Sequence, residues 1–165
     1  MDAALLLDSY STVKIKVFWD LQSCPLPEGH DGRRIFSNLR NALWNMHYRG
    51  PISISVYGDA MKIPSCFHEE AWKAAHVVNV VPSGVGVVRM PERILSDVLF
   101  WAMDNPAPAN CLLISNDFEF PFTLHQLRFR MYNVMLVSSH SSRSQALADA
   151  AKYLWIWKEV VALPA

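Results

Sequence analysis

Val17-Phe18-Trp19-Asp20 is a short apolar run that ends on an acid, and Leu112-Leu113-Ile114-Ser115-Asn116-Asp117 repeats the pattern far along the chain. Bulky residues in an unbroken run of this length read as a strand buried on both faces, as in a parallel sheet. An acid placed where such a strand leaves the core is held by the strand, yet its head stays near water. Two further runs lead in the same way into Gly58-Asp59 and Ser83-Gly84.

Outward from these runs, helical periods alternate with strands. The patterning predicts strands over 14–19, 52–57, 76–81, 111–115 and 133–137, with helices over 33–47, 64–75, 92–103, 120–130 and a final helical region over 145–161. Ile35, Phe36, Leu39, Leu43 and Met46 share one helical face; Ile94, Leu95, Val98, Leu99 and Ala102 share another. Asn105-Pro106-Ala107-Pro108 stops the third helix, because proline cannot continue it. Repeated βα units give an α/β fold of three layers, with a mostly parallel sheet of about five strands between helices. Residues 1–12 read as an N-terminal extension and 13–163 as one domain.

Fifteen basic residues balance fifteen acidic ones, so no net field draws the chain to nucleic acid or to an anionic membrane. A polyanion must be held by a local patch. Cys24, Cys66 and Cys111 are odd in number and lack metal-site spacing, which suits a reduced intracellular compartment. The cytoplasm is the first expectation, with peroxisome or mitochondrion left open. No apolar run approaches the roughly 20 residues that span a bilayer.

In a parallel sheet the functional crevice lies beyond the carboxyl ends of the strands, which selects residues 20–23, 58–59, 83–89 and 115–119. Acids converging there repel one another unless a hard divalent cation, Mg2+ or Mn2+, sits among them. Such an ion would position water and neutralise a scissile phosphate. Each acid also has an ordinary reading. Asp20 and Asp59 suit turns, Asp117 suits a helix N-cap, Glu92 suits the positive end of a helix, and Asp97 can pair with Arg93 at i,i+4. Arg89 and Arg93 would flank this edge and are the candidate phosphate contacts. Gly84-Val85-Gly86 lacks the spacing of a dinucleotide fingerprint and reads as a loop. Tyr153, Trp155 and Trp157 suit core or an interface with a second copy or partner, since Trp155 and Trp157 would lie on different faces of a helix.

Val17-Phe18-Trp19-Asp20 with Cys24-Pro25-Leu26-Pro27-Glu28-Gly29, the stretch from Leu99-Phe100-Trp101-Ala102-Met103-Asp104 through Asn105-Pro106-Ala107-Pro108-Ala109-Asn110, and Leu113-Ile114-Ser115-Asn116-Asp117 closely resemble the NYN domain. The form is that of plant and animal proteins related to the meiosis-regulating, limkain-type mRNA stability factor. His125-Gln126-Leu127-Arg128 and Tyr132-Asn133 resemble the family's next helix and strand. The resemblance implies a PIN-like fold and Mg2+- or Mn2+-dependent endonuclease activity on single-stranded RNA, acting in RNA turnover or gene regulation. Carried over residue by residue, it implies Asp20, Asp59 and Asp117 as catalytic metal ligands, with Glu92 as a substitute acid; Ser23 joins Arg89 and Arg93 as a candidate RNA contact. The chain departs from the family at the site itself. Gln22 and Ser23 stand for an acid and an amide, Pro91-Glu92 replaces an aspartate, Glu119 replaces a second aspartate, and Pro121 stands where a small polar residue is usual. Three activities therefore stay open: an endoribonuclease, a silent module that binds RNA or a protein, and an interaction domain without a nucleic-acid role.

Overall fold

The computed structural model describes residues 9–59, 61–70, 73, 78–83, 89–117, 119–139 and 145–162. Its sheet contains β1 (Ile15–Asp20), β2 (Ile52–Asp59), β3 (Val78–Ser83), β4 (Asn110–Ile114), β5 (Asn133–Ser138) and β6 (Tyr153–Ile156). They lie in the order β3-β2-β1-β4-β5-β6, and every neighbouring pair is parallel. The helices are α1 (Gly32–Asn45), α2 (Met90–Asp104), α3 (Pro121–Phe129), α4 (Gln145–Asp149) and α5 (Trp157–Ala162). The α/β class and three layers agree with the patterning.

Burial on both faces explains why β1, β4 and β5 carry so little polarity. Val17, Trp19, Leu112, Ile114 and Val137 face Ile35, Leu39 and Leu43 of α1 and Val160 of α5. Phe18, Leu113 and Leu136 face Ile94 and Val98 of α2 and Leu124 and Leu127 of α3. Asp31 caps α1, accepting a hydrogen bond from the Arg33 amide at 3.0 Å, while prolines in the first turns of α2 and α3 remove amides that have no helical partner there. Asn38, fully buried in α1, donates to the carbonyls of Val160 and Val161 at 3.1 and 3.3 Å and so ties the end of the chain to the first helix.

Three expectations change. Residues 145–161 are not one helix: the Lys152 amide donates to the Val134 carbonyl at 2.8 Å, and Tyr153 to Ile156 then pair with β5 as a sixth strand. Aromatic and β-branched residues favour a pleated edge over a helix, and this tertiary partner decided between them. Trp157 consequently turns inward and is buried, and half-buried Trp155 packs on the same core, so neither is a free aromatic face. Leu99 is exposed, because Ile94, Val98, Trp101 and Ala102 form the inward stripe of α2 at i, i+4, i+7 and i+8. The segment after Pro64 forms a 3-10 turn over Ser65–His68. Most of the rest of the expected helix over 64–75, with the loop at 84–86, lies outside the described residues.

Candidate functional site

The strand order reverses direction between β1 and β4, so the crevice of this sheet opens where those two strands end. Asp20 closes β1 and Ser115 follows β4. Asp20 is 3% exposed, and its carboxylate is held entirely by the chain. Oδ1 accepts from the amides of Gln22 and Ser23 at 3.0 and 3.4 Å; Oδ2 accepts from the hydroxyls of Ser23 and Ser115 at 2.7 and 3.0 Å. An ionised carboxylate offers about four lone-pair positions, and four donors occupy them.

Each hydroxyl in turn accepts a backbone amide. The Asn116 amide donates to Ser23 Oγ at 3.0 Å and the Asp117 amide to Ser115 Oγ at 3.2 Å. Asn116 then extends the network across β4 to β5. Its Nδ2 donates to the Ser23 carbonyl at 2.8 Å and to Ser139 Oγ, while its Oδ1 accepts from Ser138 Oγ and the Ser139 amide, both at 2.7 Å. Ser23, placed by the sequence among RNA contacts, is thus a structural link between the first and fourth strands. Ser138 and Ser139 were not among the predicted site residues. The small polar pair directly after Val137 was the available signal, because residues just past a buried parallel strand lie on this edge.

Asp117, Glu92, Arg89 and Glu119 form a second, wetter group. Arg89 at the N-cap of α2 is ion-paired with Glu119 and lies 3.6 Å from Glu92. Its guanidinium is held further above its usual range, first by the Glu119 hydrogen bond and charge, with smaller support from Glu92 and Asp117. Asp117 Oδ1 accepts the Glu119 amide at 2.9 Å, setting the turn before α3. One helical turn along α2, Arg93 Nε reaches both oxygens of Asp97 at 3.2 Å, the predicted i,i+4 pair. The buried Tyr57 hydroxyl donates to Asp97 Oδ2 at 2.9 Å, and burial together with the Asp97 charge pushes that phenol well up from its ordinary value.

Asp59 stands apart from both groups. It ends β2, its Oδ1 accepts the Met61 amide at 3.0 Å, and it lines a cleft with Gln22 and Lys62. Among the described residues, no three His, Cys, Asp or Glu side chains come together as a set that could hold an ion. The carboxylate buried deepest at the crevice, Asp20, has its acceptor positions filled by the chain, while Glu119 and Glu92 are matched by a guanidinium. The residues present therefore do not fit a bound Mg2+ or Mn2+ in this arrangement.

Six parallel strands in this order, with acids at the ends of the first two and just past the fourth, define an α/β protein of nuclease-like architecture. The family model of the NYN domain matches residues 14–157, and the chain belongs to that family, a branch of the PIN-like nuclease superfamily. Members are typically divalent-metal-dependent nucleases, and RNA is the substrate class the family suggests. Among solved structures, a protein of unknown function from Vibrio parahaemolyticus is similar in fold, with a TM-score of 0.63 at 18% identity, over 93% of this chain and 98% of that one. No curated protein matches the chain. No helix among the described residues is long and apolar enough to cross a membrane.

Proposed function

We infer that this NYN domain binds single-stranded RNA at the carboxyl edge of its sheet and holds it without cutting it. The observation that carries this reading is the saturation of Asp20, whose acceptor positions are filled by Gln22, Ser23 and Ser115 and leave none for a metal ion. Family membership supplies the RNA. Arg89, at the N-cap of α2, and Arg93, one turn on, supply the phosphate contacts: both are about half exposed or more, and Asp97 takes only the Nε edge of Arg93. Guanidinium groups suit phosphate because their planar donors match its oxygens.

Fluorescence polarisation with a labelled single-stranded RNA tests this directly. Binding persists in EDTA, weakens steeply with salt, and is not followed by cleavage on adding Mn2+ or Mg2+. Absence of binding overturns the reading. Mn2+-dependent cleavage lost in both Asp20→Asn and Asp117→Asn replaces it with the second reading, a metal-dependent endoribonuclease using Asp20, Asp59, Asp117 and Glu92. One observation favours that alternative. A single exposed arginine, Arg89, holds Glu119 and neighbours Glu92, and an RNA phosphate competing for its guanidinium would release both acids.

A further inference from the structure

We propose that the cleft beyond β1 and β2 is a pocket for one unstacked guanine base of the bound RNA. The inference rests on the RNA-binding reading and adds the base that the protein selects. The cleft measures about 460 Å3, within the range of roughly 300–1,000 Å3 that small-molecule sites occupy. It adjoins the crevice directly, because Gln22 lines it while the Gln22 amide donates to Asp20.

Its apolar lining, Leu21, Pro25, Leu26, Ile63 and Pro64, sits on segments that hydrogen bonds of the fold hold in place. The Trp19 indole N–H donates to the Cys24 carbonyl at 2.9 Å and the Trp157 indole N–H to the Pro25 carbonyl at 3.2 Å, so two buried rings hold the wall that carries Pro25 and Leu26. The segment that carries Ile63 and Pro64 is pinned by the Asp59 carbonyl, which accepts the amides of Lys62 and Ile63 at 2.8 and 3.0 Å. The floor is closed at Gly58, where a Cβ would approach both Leu21 and Ile63 to 3.3 Å. Apolar contacts on the ring and hydrogen bonds along its edge are how proteins hold a base removed from its stack, and prior rigidity lowers the entropic cost of binding.

The polar groups choose the base. Asp59 is acceptor-only, Lys62 donor-only, and Gln22 carries both. The Lys62 ammonium is ion-paired with Asp59 Oδ2 at 4.0 Å, longer than a direct hydrogen bond, so each keeps hydrogen-bonding positions for a ligand. Guanine presents along one edge a carbonyl oxygen followed by two N–H donors. Its N1–H and N2–H meet the carboxylate, and O6 meets the ammonium. Uracil flanks its one N–H with two carbonyl oxygens, and a carboxylate repels these.

The test is equilibrium binding of a short oligouridylate in which the central residue is uridine, guanosine or inosine. Guanosine raises affinity about tenfold over uridine, the size of one good bidentate contact, and inosine, lacking the N2 amino group, recovers only part of it. Asp59→Asn, which keeps the Oδ1 acceptor of the Met61 turn, abolishes the guanosine preference while binding of the all-uridine strand stays or improves. A merely structural Asp59 would instead lower affinity for all three strands alike, and that result overturns the proposal. RNA binding with no difference between guanosine and uridine overturns it too while leaving the RNA-binding reading intact. If no strand binds, both fall together.

Discussion

At the amino edge of the sheet, Asn110 and Asn133 bury two neutral amides, joined by a 2.7 Å hydrogen bond from Asn133 Nδ2 to Asn110 Oδ1. Asn110 Nδ2 spends its protons on the carbonyls of Tyr10 and Val13, so the segment before β1 closes that edge. Tyr10 is itself buried and donates to the Met131 carbonyl at 2.6 Å. At the carboxyl edge the buried group is a carboxylate, Asp20, while Arg89, Arg93 and Glu119 reach solvent and a cleft opens beside Gln22 and Asp59. Two polar networks of similar construction thus serve different ends. The buried amides donate to backbone carbonyls and to each other, whereas the buried carboxylate takes several strong donors, supplied by the residues that follow β1 and β4.

The contrast breaks first at Asp20. Because its carboxylate satisfies four donors, Asp20→Ala destabilises the fold by about 3 kcal/mol in urea unfolding. A catalytic acid held against other acids gives the opposite sign, since such residues are often removed at a gain in stability. Stabilisation by Asp20→Ala would therefore restore the metal-site reading. Asn110→Ala at the amino edge costs about 2 kcal/mol in the same assay and leaves RNA affinity unchanged, because it strands the Asn133 amide far from the crevice. Altered RNA binding in that variant would erase the division between the two edges.

Glu119→Gln sharpens the comparison from the functional side. It removes the principal partner of Arg89, and RNA affinity rises about two- to threefold with a steeper salt dependence. An unchanged affinity means that Arg89 does not touch phosphate. The thiols give the smallest and most diffuse effect. Burial pushes Cys24, by the carboxyl edge, and Cys111, in β4, up to about 12. In the unfolded chain a thiol titrates near ~8.5, so the unfolded state loses protons first as pH rises. The contribution is fully present below that pH and declines above it toward 12, which Cys111→Ala makes shallower in a pH series of unfolding midpoints. Thiol reagents at neutral pH modify half-buried Cys66 before either buried cysteine. Rapid labelling of Cys24 would show that the loop after β1 opens readily.

Much of the molecule was legible in the chain. Val17-Phe18-Trp19 and Leu112-Leu113-Ile114 could only be strands buried on both faces, and the helical stripes of α1 and most of α2 followed from spacing. The sixth strand was not legible, since Tyr153 to Ile156 suits helix or strand until β5 offers it a partner. The positions of Asp20, Asp59 and Asp117 at one edge were readable, but what each oxygen accepts was not. That depends on Ser115 and Asn116, far from Asp20 in sequence and brought to it only by the pairing of β1 with β4.

By itself, then, the sequence determined the fold class, the burial of the parallel strands, the edge where the acids gather and the family. These follow from local patterning, because hydrophobic periodicity and strand-end polarity act within a few residues. Tertiary structure decided the state of that edge: a carboxylate held by two amides and two hydroxyls, arginines paired with Glu92, Glu119 and Asp97, and a cleft lined by Pro25 and Pro64 beside them. Hydrogen bonds and ion pairs are set by distances of a few ångström between residues remote in the chain, and only the folded chain fixes those distances.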